Sequence, residues 1–137
     1  MNMKYQFLEH TADIKFQAFG KTIEKVFENS AIAMFKAMTS ERIRAKNKKK
    51  IKVKGRDKES LLYNFLEELL FLLDTKNFFL SRIKVKIDTE KIELKAEIFG
   101  DDVKKYKPHI DIKAVTYNEM FVKKEKGKWV CQVVLDV

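Results

Sequence analysis

The stretch from Leu61 to Leu73 constrains the fold more than any other segment. Leu61, Leu62, Phe65, Leu66, Leu69, Leu70, Leu72 and Leu73 leave it apolar nearly all round at helical spacing. A helix of this kind is buried on more than one side. It is interrupted by Asn64, Glu67 and Glu68 and is too short to cross a bilayer, so it belongs in a protein core. The spacing predicts a helix over residues 57–74. Asp57 is its N-cap, with Glu59 and Ser60 in the first turn. A second helix is predicted over residues 22–38. Thr22 is its N-cap, and Lys25 stands where a capping-box glutamate would be. Its broad apolar face includes Ile23, Val26, Phe27, Met34, Phe35 and Met38.

Most of the remaining chain alternates apolar and polar residues at the strand period. Tyr5 and Phe7 do so, then Ile14, Phe16 and Ala18, then Ile51 to Lys54. Ile83, Val85 and Ile87 form another such run, and Ile92, Leu94, Ala96 and Ile98 the next. Residues 112–123 and 129–135 complete the set, joined by a hairpin turn over 124–128 that contains Gly127. Strands before, between and after two helices point to the α+β class. The expected architecture is one domain over residues 1–137. Its two main helices pack against largely antiparallel sheet, in layers, with sheet covering the helices on more than one face.

A chain of 137 residues, 45% of them hydrophobic, can bury a core of ordinary domain size. The single cysteine, Cys131, rules out an intramolecular disulfide and a thiolate zinc cluster. Its place in a predicted strand, between Trp129 and Val133, points to packing rather than nucleophilic attack. No signal-peptide pattern opens the chain, so a cytoplasmic, non-membrane protein is expected. The net charge of +9 comes from 29 basic and 20 acidic side chains. It suits an acidic or nucleic-acid partner, although richness in Lys and Glu is also a trait of heat-adapted proteins. The densest basic stretch, Arg42 to Arg56, reads as an exposed connection running into a strand. No aromatic side chain interleaves it, as a base-stacking surface would require.

No catalytic constellation is present. The Gly content is too low for a phosphate-cradling loop, and the adjacent Glu67 and Glu68 point in different directions on a helix. His109, after the sole proline, reads as a loop residue. The acids that stand out are Asp13, after the first strand, and Asp136, at the end of the last. If these two meet, their carboxylates converge with the terminal carboxylate or carbonyl of Val137. Hard divalent cations favour such all-oxygen sites. Aspartate at strand ends is also common turn chemistry. His10 either orients Asp13 through a hydrogen bond or caps a turn.

Several motifs, in order along nearly the whole chain, resemble one family. Leu8 to Ile14, with His10, Thr11, Ala12 and Asp13, looks like the opening signature of the archeases. Phe19-Gly20, the helix from Thr22 and the helix Leu61 to Leu70 continue the resemblance. The late motif Lys113 to Met120 and the ending Trp129, Leu135-Asp136-Val137 complete it. The family commonly has histidine where this chain has Asn118, whose amide still hydrogen-bonds but cannot supply an imidazole. The resemblance implies a non-enzymatic activator of the GTP-dependent RNA-splicing ligase that joins tRNA exon halves. Such an activator promotes ligase guanylylation and repeated turnover. It also implies a divalent cation, calcium by preference and otherwise Mg²⁺ or Mn²⁺, held by Asp13, Asp136 and Val137. His10, Thr11, Asn118 and Glu119 are further functional candidates. The implied partner is the ligase, with tRNA contacted through it. The other readings are a basic RNA-binding accessory in tRNA processing or modification, and a chaperone-like protein that uses the Leu-rich helix.

Overall fold

The structure is a computed structural model that describes residues 3–9 and 12–137. Strands β1 (Tyr5–Leu8) and β2 (Ile14–Gly20) lead into helix α1 (Ile23–Met38). Strand β3 (Asn47–Lys54) and helix α2 (Lys58–Lys76) follow, then β4 (Phe78–Asp88) and β5 (Glu93–Asp102). A single 3₁₀ turn, Val103–Lys105, precedes β6 (Ala114–Glu125) and β7 (Lys128–Asp136). One sheet has the order β1-β2-β7-β6 and the other β3-β5-β4, with every pairing antiparallel.

Both helices touch both sheets. Helix α1 packs on β1, β2 and β7 of the four-stranded sheet and on β4 of the other. Helix α2 packs on β6 of the first sheet and on β3, β4 and β5 of the second. The helices therefore form a layer between two sheets, which is the α+β layering expected from the all-round apolar helix. Leu61, Leu62, Phe65, Leu66 and Leu69 of α2 are at most 1% exposed. Burial of each such side chain contributes about 1.5–3 kcal/mol. Among the described residues no helix is long and apolar enough to cross a membrane.

The expected caps form. Thr22 accepts a hydrogen bond from the Lys25 amide at 3.1 Å, and the Asp57 carboxylate accepts from the Ser60 amide at 2.7 Å. The Ser60 hydroxyl reaches back to the Asp57 amide at 3.1 Å and closes a capping box. The β6–β7 hairpin turns through Lys126 and Gly127, at φ 51° and 76°. Positive φ at both central positions is the primed-turn geometry that matches strand twist.

Strand lengths differ from the sequence expectation in two places. Strand β3 begins at Asn47, so half of the basic segment read as a connection is strand, paired residue for residue with β5. Strand β4 begins at Phe78, where a continuous apolar run hid the alternation. Phe78, Phe79 and Leu80 are all buried there.

One edge strand of each sheet donates hydrogen bonds to helix carboxylates. Strand β4 is an edge strand, and its Val85 amide donates to Glu28 of α1 at 2.8 Å. Strand β6 is another, and its Val115 and Val122 amides donate to Glu67 and Glu59 of α2 at 2.8 and 3.2 Å. An unpaired edge N–H beside a packed helix would lack water, and these carboxylates take its place.

Candidate functional site

Strands β2 and β7 lie side by side at the centre of the four-stranded sheet and run antiparallel to the Ile14–Leu135 pair. Ile14 packs against the core and Leu135 is fully buried in it. The pairing ends there: Asp13 lies in the bend just before β2, and Asp136 is the last residue of β7. Asp136 is exposed, pairs with Ala114, and accepts the Lys113 amide on its main-chain oxygen at 2.8 Å. Val137 is half-buried and packs against the core. Asp13, Asp136 and Val137 thus lie at the same end of the β2–β7 pair. His10 and Thr11 lie outside the described residues.

Lys15 and Glu119 meet on this sheet. Their side chains form an ion pair at 3.1 Å, although 104 residues separate them in sequence. Glu119 sits in a large bulge of β6. Thr116 pairs with Val134 and Phe121 pairs with Gln132, so residues 117–120 all stand opposite Val133. Bulges of this sort re-aim side chains beside functional sites. Glu119 adopts φ 55°, a left-handed conformation that costs a non-glycine residue roughly 1–2 kcal/mol. The surrounding bonds offset that cost. The Thr116 hydroxyl donates to the Val134 carbonyl at 2.8 Å and accepts the Asn118 amide at 3.3 Å. The Gln132 amide donates to the Glu119 carbonyl at 2.8 Å and accepts from Gln17 at 2.9 Å. Tyr117 stacks on Tyr63 of α2 with ring centroids 4.3 Å apart. Burial, helped by Glu67 and Tyr117, holds the Tyr63 phenol above its ordinary pKa.

Asn118 is exposed at the tip of this bulge, with its main chain fastened to Thr116. Sequence reasoning missed Lys15, Gln17 and Gln132, which read as ordinary outward polar residues of alternating strands. Only the order of the strands shows that they brace the bulge. The Lys15 ammonium offsets the charge of the Glu119 carboxylate. Among the described residues no three His, Cys, Asp or Glu side chains form a metal-holding group. A cation here would need main-chain oxygen, such as that of Val137, to complete the donor set begun by two aspartates.

Cys131 is fully buried in β7, and burial pushes its thiol pKa up to about 12. It is a packing residue, as expected from its place in the strand. His109 lies in the loop before β6, and its amide donates to the Met38 carbonyl at the end of α1, at 2.9 Å.

Residues 5–137 match the model of the Archease protein family (MTH1598/TM1083). A protein archease of Pyrococcus abyssi is 39% identical, over 98% of this chain and 99% of its own. That of Methanosarcina mazei is also 39% identical, over 98% and 96% of the two chains. The solution structure of Methanobacterium thermoautotrophicum protein 1598 is similar with a TM-score of 0.85 and 36% identity. It covers 98% of this chain and 99% of that one. The crystal structure of a Thermotoga maritima archease, described as a possible chaperone, shares the fold with a TM-score of 0.70 at 20% identity. It covers 100% of this chain and 99% of its own. The chain belongs to the archease family.

Proposed function

We propose that this protein is a non-catalytic activator of the GTP-dependent RNA-splicing ligase in tRNA splicing, promoting ligase guanylylation and repeated turnover. Membership of the archease family supports the choice of client. The observation that supports the reading within this chain is the pairing of β2 with β7, which brings Asp13, just before β2, and Asp136 and Val137, at the end of β7, to the same end of the sheet. Two carboxylates with main-chain oxygen make a hard donor set suited to Ca²⁺. Mg²⁺ demands stricter octahedral geometry and keeps more of its water. In this reading the cation-bearing tip approaches the ligase active site. There it helps to place a metal ion or favours the conformation that accepts guanylate. The bulge with Asn118 and Glu119 flanks the same tip and shapes its approach surface.

Two assays test this. Multiple-turnover guanylylation by the ligase should rise with the wild-type protein and stay at its basal level with folded Asp13→Ala or Asp136→Ala. Full activation by both variants would refute the role of the tip. Separately, Ca²⁺ at 100 times its dissociation constant should stabilise the wild-type chain by about 2.7 kcal/mol. Neither variant should respond. The chaperone-like reading loses its proposed surface, because the leucines of α2 that would have to be exposed are core.

A further inference from the structure

The outer face of the three-stranded sheet is almost entirely charged. The register of β3, β5 and β4 sets Lys52, Lys95 and Lys86 side by side across all three strands, with no acid between them. Like charges directly opposite one another destabilise a sheet. A face shaped only by ion-pair networks would alternate signs. The neighbouring row is Lys50, Glu97 and Lys84. Glu97 is taken by Lys48 at 2.9 Å, and Glu93 by Lys52 and Lys54 at 3.4 and 3.6 Å. Lys50, Lys84, Lys86 and Lys95 are all exposed and make no ion pair among the described residues. Residues of one face recur about every 6.8 Å along a strand, and strands lie about 4.8 Å apart. The four lysines therefore form a compact cationic track about 10 Å wide.

The chemistry of the face selects its occupant. Its one aromatic ring, Phe99, is half-buried and carries the Arg82 guanidinium 4.1 Å from its centre. No apolar wedge is left to enter a bilayer. A protein partner would want an aromatic or aliphatic anchor at the centre of its interface, where lysine is depleted. The covered ring also disfavours base stacking, so contact would run through phosphates. A track this narrow takes one backbone rather than two. We propose that the outer face of β3-β5-β4 binds the phosphate backbone of a single strand of nucleic acid. The face looks away from the Asp13–Asp136 tip, across the helix layer, and the proposal stands independently of the ligase reading.

The test uses the full chain and a fluorescently labelled oligouridylate, followed by anisotropy. Four phosphate contacts predict a slope of about −2.8 in log affinity against log salt, so that affinity falls roughly 50-fold between 50 and 200 mM. The quadruple variant Lys50→Gln, Lys84→Gln, Lys86→Gln, Lys95→Gln should bind at least about tenfold more weakly at low salt and flatten that slope. A second variant, Lys76→Gln, Lys104→Gln, Lys124→Gln, Lys126→Gln, has the same net charge with the track intact, and should bind like wild type. Thermal melts confirm that both fold. Absence of salt-dependent binding, or equal losses in the two variants, would overturn the proposal. So would binding to phosphatidylserine vesicles in place of the oligonucleotide.

Discussion

At the scale of single residues, Asp101 shows how burial and bonding compete. It is 2% exposed at the end of β5. Burial alone would raise its pKa, but its partners hold it below the ordinary 3.8. These are the Asp102 amide at 2.8 Å, the Tyr106 hydroxyl at 2.8 Å and the Lys105 ammonium at 3.4 Å. Tyr106 also accepts the Arg44 amide at 3.1 Å, so the carboxylate steadies the start of the basic segment. A depressed folded pKa contributes stability that is complete above the unfolded value and lost as pH falls through the folded one. Asp101→Asn should therefore unfold more easily at neutral pH and lose less stability than wild type as pH falls below about 3.8. Urea midpoints across an acid series measure this, and parallel pH profiles would contradict it. Two residue-level features, the Thr22 and Asp57 caps, were legible in the sequence because caps are local. The role of Asp101 was not, because its Tyr106 and Lys105 partners depend on the turn after β5.

At the scale of elements, one edge of each sheet depends on carboxylates from a neighbouring helix. In sequence, Glu67 and Glu68 read only as a poor acid–base pair. In the fold, Glu67 replaces the missing strand beside Val115, and Glu28 does the same for Val85. Removing such an acceptor leaves an amide with lost solvation and no partner, at about 1–3 kcal/mol. Glu28→Ala and Glu67→Ala should each show that loss in denaturant midpoints. Glu28→Gln and Glu67→Gln keep an acceptor oxygen and should lose less. Equal losses for Ala and Gln would assign the effect to charge instead. The β4–β5 pairing has its own tight point. Ser81 is extra in β4, between Leu80 and Arg82, and any Cβ on Gly100 opposite would run into the Phe79 carbonyl. Gly100→Ala should destabilise by about 1–3 kcal/mol, the usual cost of overpacking, measurable by the same method.

At the scale of the molecule, the helix layer is enclosed by sheet on two sides, and Cys131 reports on that enclosure. Its sulfur lies in the core with its pKa pushed up to about 12, so native protein offers no thiolate to a reagent. Labelling by a thiol reagent should proceed only through opening of the core, and its rate should rise in step with the stability lost in Glu67→Ala or Gly100→Ala. Fast labelling that ignores those substitutions would mean that β7 opens locally. The enclosure also separates two outer surfaces, an acidic tip on one sheet and a cationic track on the other.

The existence, type and caps of both helices were determined by the sequence itself, because a 3.6-residue apolar period and a capping side chain act within a few residues. So was the α+β class, since alternating strands on either side of an all-round apolar helix leave few ways to bury it. The acids Asp13 and Asp136 could be singled out from the chain, but that they lie at the same end of one strand pair was decided by the placing of β2 beside β7. Lys15 meeting Glu119, the bulge braced by Gln132, and three lysines in one row also arise only in the tertiary structure. They join strands that are distant along the chain, and antiparallel register, not local propensity, chooses which side chains become neighbours.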